Sequence, residues 1–204
     1  MTEQHVIRLN MRTFRRICVY CGSSNAVHSR YKTAAFAVGA TLARRGIGVV
    51  YGGGSVGLMG QVADGALSEG GEVHGVIPRK LLELELGHGG LTEQIVVDGM
   101  HPRKMMMAQL SDAFIALPGG YGTLEELAEV TTWTQLNDHI KPVGLLNIDG
   151  YYDGLLQWIE HANQEGFIRS QHRHLISVAT EIDALLDALT TAEIPTIEQW
   201  ISTP

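Results

Sequence analysis

The chain has 204 residues, 45% of them hydrophobic and 18% charged, with a formal net charge of −7 at pH 7. That length supports one globular domain with a sizeable core, and the acidic balance excludes a broad nucleic-acid-binding surface, though not a small anionic ligand held in a local cleft. Two cysteines, no long apolar stretch and the polar opening Met1 to Arg16 exclude a disulfide scaffold, a membrane span and a secretory signal, so a cytoplasmic protein is expected.

A flexible segment is expected at 1–14, a single domain at 15–190 and a tail at 191–204. The apolar run Arg16 to Gly22 reads as a first strand, stopped by Gly22-Ser23-Ser24-Asn25. Helical spacing of Ala35, Val38 and Leu42 predicts a helix over Tyr31 to Arg45, with Gly46 just past its end. A second strand, Ile47 to Tyr51, closes on Gly52-Gly53-Gly54-Ser55, and a helix follows from Gly57 to Glu69. Glu72 to Ile77 is the third strand; Arg79 to Gly90 is irregular, and Glu93 to Val97 is a further strand. Then come a helix at His101 to Leu110, a strand at Ala113 to Leu117 and a helix at Thr123 to Leu136. Pro142 to Ile148 and Tyr152 to Glu165 give another strand and helix, and a short strand at Leu175 to Val178 with a helix at Glu181 to Leu189 completes the pattern.

Continuous apolar strands alternating with helices predict an α/β fold, a Rossmann-like doubly wound parallel sheet with helices on both faces. Ligands of such sheets bind beyond the carboxyl ends of the strands. The glycine-rich turns after Cys21, Tyr51 and Leu117 all fall on that edge, which makes Gly22, Ser23, Gly53 and Gly54 candidate ligand contacts.

The most informative stretch is Pro118-Gly119-Gly120-Tyr121-Gly122-Thr123-Leu124-Glu125-Glu126. Glycine permits close backbone approach, and the free N–H groups of a helix's first turn attract anions. A phosphate therefore fits against the amides of Gly119, Gly120, Gly122 and Thr123, with Glu126 nearby. Thr123-Leu124-Glu125-Glu126 also reads as a capping box, Thr123 at N-cap and Glu126 at N3; both readings stay open. Gly99-Met100-His101-Pro102-Arg103-Lys104 places two cations at a helix start, fit either for a phosphate or for solvent.

Other patterns argue mainly by exclusion. Gly52-Gly53-Gly54-Ser55-Val56-Gly57 matches G-x-G-x-x-G but follows the second strand, and Glu72 stands at the wrong end of its strand for a ribose contact. NAD is not expected. No G-x-x-x-x-G-K-[ST] occurs, which disfavours ATP hydrolysis of that type. Cys18-Val19-Tyr20-Cys21 lies along a strand with its thiols on opposite faces, unlike a redox pair. The histidines show no metal-binding spacing, so no metal and no cofactor are expected.

Taken together, Pro118 to Glu126 and Arg103-Lys104 resemble the LOG ("lonely guy") family of cytokinin riboside 5′-monophosphate phosphoribohydrolases, whose signatures are P-G-G-x-G-T-x-x-E and an upstream R-K pair. The resemblance runs from Cys21-Gly22-Ser23 through Tyr51-Gly52-Gly53-Gly54 and Gly57-Leu58-Met59-Gly60 to Lys141-Pro142-Val143-Gly144-Leu145-Leu146. It implies hydrolysis of the N-glycosidic bond of a nucleoside 5′-monophosphate, giving free base and ribose 5-phosphate. Arg103 and Glu126 would be catalytic, and Gly120, Tyr121, Gly122 and Thr123 would cradle the phosphate. Glu85, Lys104, Gly119, Leu124, Glu125 and Thr132 would complete the substrate contacts. Leu82 to Gly90 departs from the family's wording, so prenylated adenine and plain adenine both stay open as the base. Similar proteins are dimers, and the apolar Met105-Met106-Met107 stretch is either core or subunit interface. Two alternatives stand beside this reading. One is a module that binds AMP-like nucleotides without cleaving them. The other follows an older label for similar sequences, lysine decarboxylase, which would need PLP on a Schiff-base lysine; Lys104 beside Arg103 is better explained as an anion contact.

Overall fold

Each short β-rich run is followed by a helix, so successive strands enter the sheet from the same end and pair parallel. The computed structural model describes residues 11–84 and 87–196. Its strands are β1 (Arg16–Tyr20), β2 (Gly48–Tyr51), β3 (Val73–Pro78), β4 (Glu93–Val97), β5 (Ala113–Ala116), β6 (Val143–Leu146) and β7 (Ile176–Ala179). They form one seven-stranded parallel sheet in the order β4-β3-β2-β1-β5-β6-β7. The helices are α1 (Ser29–Arg44), α2 (Gly57–Ser68), α3 (Arg79–Glu83), α4 (Met100–Leu110), α5 (Tyr121–Gln135), α6 (Asp153–Gln164) and α7 (Ile182–Thr191).

Alternation along β1 distributes its side chains between two cores. Ile17, Val19 and Cys21 pack with α1, α2 and α7, among them Val38, Leu42, Val62 and Leu185. Cys18 and Tyr20 face the other way, toward Met107 of α4 and Leu127 and Val130 of α5. Ile17, Phe114, Leu145 and Leu185 are fully buried, each side chain contributing about 1.5–3 kcal/mol of transfer free energy. Both cysteines are free, and burial pushes both thiols far above their ordinary range, so neither behaves as a reactive thiolate.

On one face, α1 and α2 meet through glycines rather than side chains. A Cβ at Gly39 would lie 2.0 Å from the Val62 carbonyl oxygen, and one at Gly65 would lie 2.1 Å from that of Phe36. The entry to β1 is fastened by the Asp112 carboxylate, whose Oδ2 accepts from the Arg15 and Arg16 amides at 2.7 and 3.0 Å. Of the two terminal segments expected from sequence, 1–10 and 197–204 lie outside the described residues. Arg12 is tied back, its guanidinium donating to the Ile140 and Ala192 carbonyls at 2.7 and 3.2 Å.

Element boundaries differ in three informative places. The stretch expected to be irregular opens with the single turn α3. The helix bearing Arg103 starts at Met100, because Gly99 takes φ 125° at its N-cap, a conformation other residues rarely adopt. And α5 starts at Tyr121, with Gly120 rather than Thr123 at the N-cap.

Candidate active site

The strand order reverses between β1 and β5, and the chain leaves β1, β2 and β5 through its glycine-rich turns at the same sheet edge. Such a reversal opens a crevice. Backbone hydrogen bonds sew the turns together: the Gly22 amide donates to the Pro118 carbonyl at 3.0 Å, and the Leu58 amide to the Gly22 carbonyl at 2.9 Å. The result is a cavity of about 540 Å³ lined by Gly22, Ser23, Gly54, Arg103, Gly120 to Thr123, Glu125 and Glu126.

One wall is the start of α5. Its first intrahelical bond runs from the Leu124 amide to the Gly120 carbonyl at 3.0 Å, and no side chain caps the N-terminus. The amides of Tyr121, Gly122 and Thr123 thus belong to the unpaired first turn and border the cavity, where the helix dipole favours an anion. Two tyrosines steady this turn from behind. The Tyr151 hydroxyl donates to the Gly119 carbonyl and the Tyr152 hydroxyl to the Leu117 carbonyl, both at 2.7 Å. The carbonyls are engaged on that side while the amides face the crevice.

Opposite stands Arg103, 7% exposed. Its Nε donates to the Val76 carbonyl at 3.0 Å and its Nη2 to the Gly52 carbonyl at 2.7 Å. These two anchors fix the guanidinium plane and leave other N–H groups of its fork at the cavity wall. Gly52 is what lets it fit, since a Cβ there would stand 1.8 Å from Nη2.

Glu126 is half-buried and lines the same cavity. Burial pushes its carboxyl up to about 7; the nearby Glu125 and Glu129 charges add to that, while Arg103 and Lys104 pull it down. The capping-box alternative does not hold. With Gly120 at the N-cap, Thr123 is the third helical residue and Glu126 the sixth, beyond reach of the helix's unpaired amides. A carboxylic acid with a perturbed pKa in a cleft fits a functional role.

Several candidates from sequence are placed elsewhere. Lys104 does not line the cavity: its buried ammonium donates to Glu125 Oε1 at 2.5 Å and Glu129 Oε1 at 3.0 Å. Burial opposes its charge, but these two hydrogen bonds outweigh that and keep the pKa above the ordinary lysine value, the reverse of what Schiff-base chemistry needs. Leu124 and Thr132 face a second, apolar cavity of about 270 Å³ against α6, with Trp158. The reason is helical geometry, since six residues beyond Glu126 put Thr132 about 120° round α5. Gly53 and Gly119 shape the turns without lining the main cavity, and Glu85 lies outside the described residues.

The apolar wall was not foreseen from the motifs. It comprises Met59, Ile77, Leu81, Met100 and Met107, together with Cys21. One signal was available, because Met100, Arg103 and Met107 are spaced to share a helix face. The methionine run accordingly splits: Met107 borders the cavity, Met106 joins the core and Met105 is 48% exposed. Tyr151 and Tyr152 were also missed, since no spacing links them to a loop more than thirty residues earlier in the chain.

A family model described as "possible lysine decarboxylase" matches residues 59–189. The chain is 51% identical over 176 residues to the probable cytokinin riboside 5′-monophosphate phosphoribohydrolase LOGL9 of Oryza sativa subsp. japonica, covering 86% of this chain and 78% of that protein. It is 52% identical over 176 residues to cytokinin riboside 5′-monophosphate phosphoribohydrolase LOG1 of Arabidopsis thaliana, with coverages of 86% and 83%. Among solved structures, the molybdenum cofactor binding protein of the phototrophic bacterium Rippkaea orientalis superposes with a TM-score of 0.64 at 26% identity, covering 82% of this chain and 90% of that one.

Proposed function

The chain belongs to the LOG family of cytokinin riboside 5′-monophosphate phosphoribohydrolases, and we propose that its cavity hydrolyses the N-glycosidic bond of a nucleoside 5′-monophosphate to free base and ribose 5-phosphate. The observation that carries this reading is a half-buried carboxylate, Glu126, sharing one cavity with an amide-lined helix start and an anchored arginine.

Water attacks C1′ of the ribose, the C1′–N bond breaks, and its electron pair leaves with the base, which takes up a proton. The transition state gathers positive charge on the ribose ring. An ionised Glu126 stabilises that charge and orients the attacking water, accepting its proton as the bond forms. The 5′-phosphate sits on the amides of Tyr121, Gly122 and Thr123, and Arg103 turns its free N–H groups to the phosphate or the ribose hydroxyls. Because only the ionised carboxylate serves, activity should rise with pH through about 7, the value set by its burial. The apolar wall of Met59, Ile77, Leu81 and Met100 is the surface available to the base.

Binding energy from the remote phosphate is used to orient the reacting carbon. A nucleoside lacking it should therefore be hydrolysed at least about 10³-fold less efficiently in kcat/KM. The test is chromatography of free base after incubating AMP, prenylated AMP and the matching nucleosides side by side. Comparable cleavage of AMP and adenosine would overturn the assignment of the amide turn. Binding of AMP with no base released would instead support the non-catalytic module.

The second copy expected of a dimer is proposed to cover the apolar surface of α5 and α6, where Leu124 is 42% and Trp158 60% exposed. Sedimentation at micromolar concentration should give a dimer, and Trp158→Glu should shift it toward monomer. A monomeric parent protein would sink this.

A further inference from the structure

Arg103 and Glu126 reach the cavity from different helices, α4 and α5, which the sequence separates by a strand and a turn. One side chain links the two helices beside the chemistry. Lys104 follows Arg103 directly, its side chain is only 6% exposed, and its ammonium lies in a fork between Glu125 and Glu129, the residues one before and three after Glu126. We propose, on the basis of the hydrolase reading above, that Lys104 is a positioning residue for Glu126: it ties α4 to α5 and neutralises the two carboxylates that flank Glu126 on its own helix.

Three observations support this. The ammonium's partners are side chains of α5, and Lys104 is absent from the cavity wall, where a substrate contact would have to be. A buried ammonium keeps its charge only when paired, so two carboxylates on one lysine form a mutually dependent unit. And Glu125 and Glu129 both disfavour an ionised Glu126, while Lys104 favours it. Among the described residues, the charged groups that act on Glu126 include Arg103 and Lys104 from α4 and Glu125 and Glu129 from α5. Cys18 and Tyr20 of β1 and Cys21 just beyond it also face Glu126, and all three are held neutral by burial. Removing Lys104 leaves the charges of Glu125 and Glu129 without the ammonium that pairs them.

The experiment compares wild type, Lys104→Met and the double variant Glu125→Gln/Glu129→Gln. Each is read by the acidic limb of its kcat/KM–pH profile and by carboxyl-¹³C NMR titration of Glu126, assigned through Glu126→Gln. Lys104→Met should move both readouts up by about 0.5–1 pH unit, which lowers activity roughly three- to tenfold below the limb. The double variant should move them down. Adding Lys104→Met to that double variant should move the limb back up, because the ammonium's own charge still favours ionised Glu126 there. If Lys104→Met instead raises KM for the monophosphate with an unmoved limb, and does so in the triple variant as well, Lys104 touches substrate and the proposal fails. Should Lys104→Met not fold, an unmoved titration in the double variant is by itself enough to overturn it. The NMR arm needs no turnover, so absence of hydrolysis in wild type would remove the proposed function and still leave this inference to be decided.

Discussion

Glu126→Gln is expected to lower kcat by about 10³-fold while the protein stays folded and still binds the monophosphate. The amide is nearly isosteric, so the amide-lined turn and Arg103 remain as they are. Only the charge facing the ribose is removed. Stability gives an independent check. The carboxyl of Glu126 is raised to about 7 from 4.5, so between those values the folded state binds a proton that the unfolded state has released. Stability contributed by that proton is complete below the unfolded value and is lost as pH rises through 7. Above pH 7 the ionised, half-buried carboxylate costs stability, and glutamine does not. The variant should therefore unfold at a higher temperature than wild type at pH 8, by a free energy on the order of 1 kcal/mol once solvent screening in an open cavity is allowed for. A variant that is inactive and unstable at pH 8 would mean that Glu126 holds the fold together. Retained turnover would mean that it is not the catalytic carboxylate.

Gly52→Ala is expected to cost about 10²-fold in kcat/KM without touching any group that reacts. The new methyl would stand 1.8 Å from Arg103 Nη2 and 3.3 Å from Met59 Sδ. The guanidinium must swing off the Gly52 carbonyl, and with it the Val76 anchor is strained. A displacement near 1 Å at an oriented contact is enough to produce that loss. The comparison is Gly154→Ala in α6, where an added Cβ meets nothing within 4 Å; it should leave activity unchanged and gain a few tenths of a kcal/mol in helix stability. Equal activity of Gly52→Ala and wild type would show that the anchored position of Arg103 is not the productive one.

Much of the architecture was legible because buried parallel strands are continuous apolar runs and helices carry their own spacing. Ile17 to Cys21, Val49 to Tyr51 and Ala113 to Leu117 needed no more than that. The lining of the main cavity was legible where chemistry and backbone coincide, as in Gly120 to Thr123 and Glu126. It stayed open where one pattern serves two purposes. Thr123-Leu124-Glu125-Glu126 has capping-box spacing, yet the glycine before Tyr121 already adopts the extended conformation that starts the helix, so α5 begins two residues early. Lys104 was taken with Arg103 as an anion contact because the two are adjacent. Successive helical residues point about 100° apart, and the second cation met Glu125 and Glu129 instead. Thr132 lines the second cavity for the same geometric reason. Tyr151 and Tyr152 reach the loop from a distant segment, a kind of contact that local spacing does not reveal.

Because α5 lacks a side-chain cap, its first turn is steadied from outside by the tyrosine hydroxyls until an anion arrives. A phosphate docked as proposed would supply what the sequence withholds, and bound enzyme should resist fraying there more than free enzyme does. The same anion survives the reaction on the sugar product. Ribose 5-phosphate would thus leave by surrendering the contacts that recruited its parent nucleotide, which makes its departure, and its competition with fresh substrate, a natural brake on turnover.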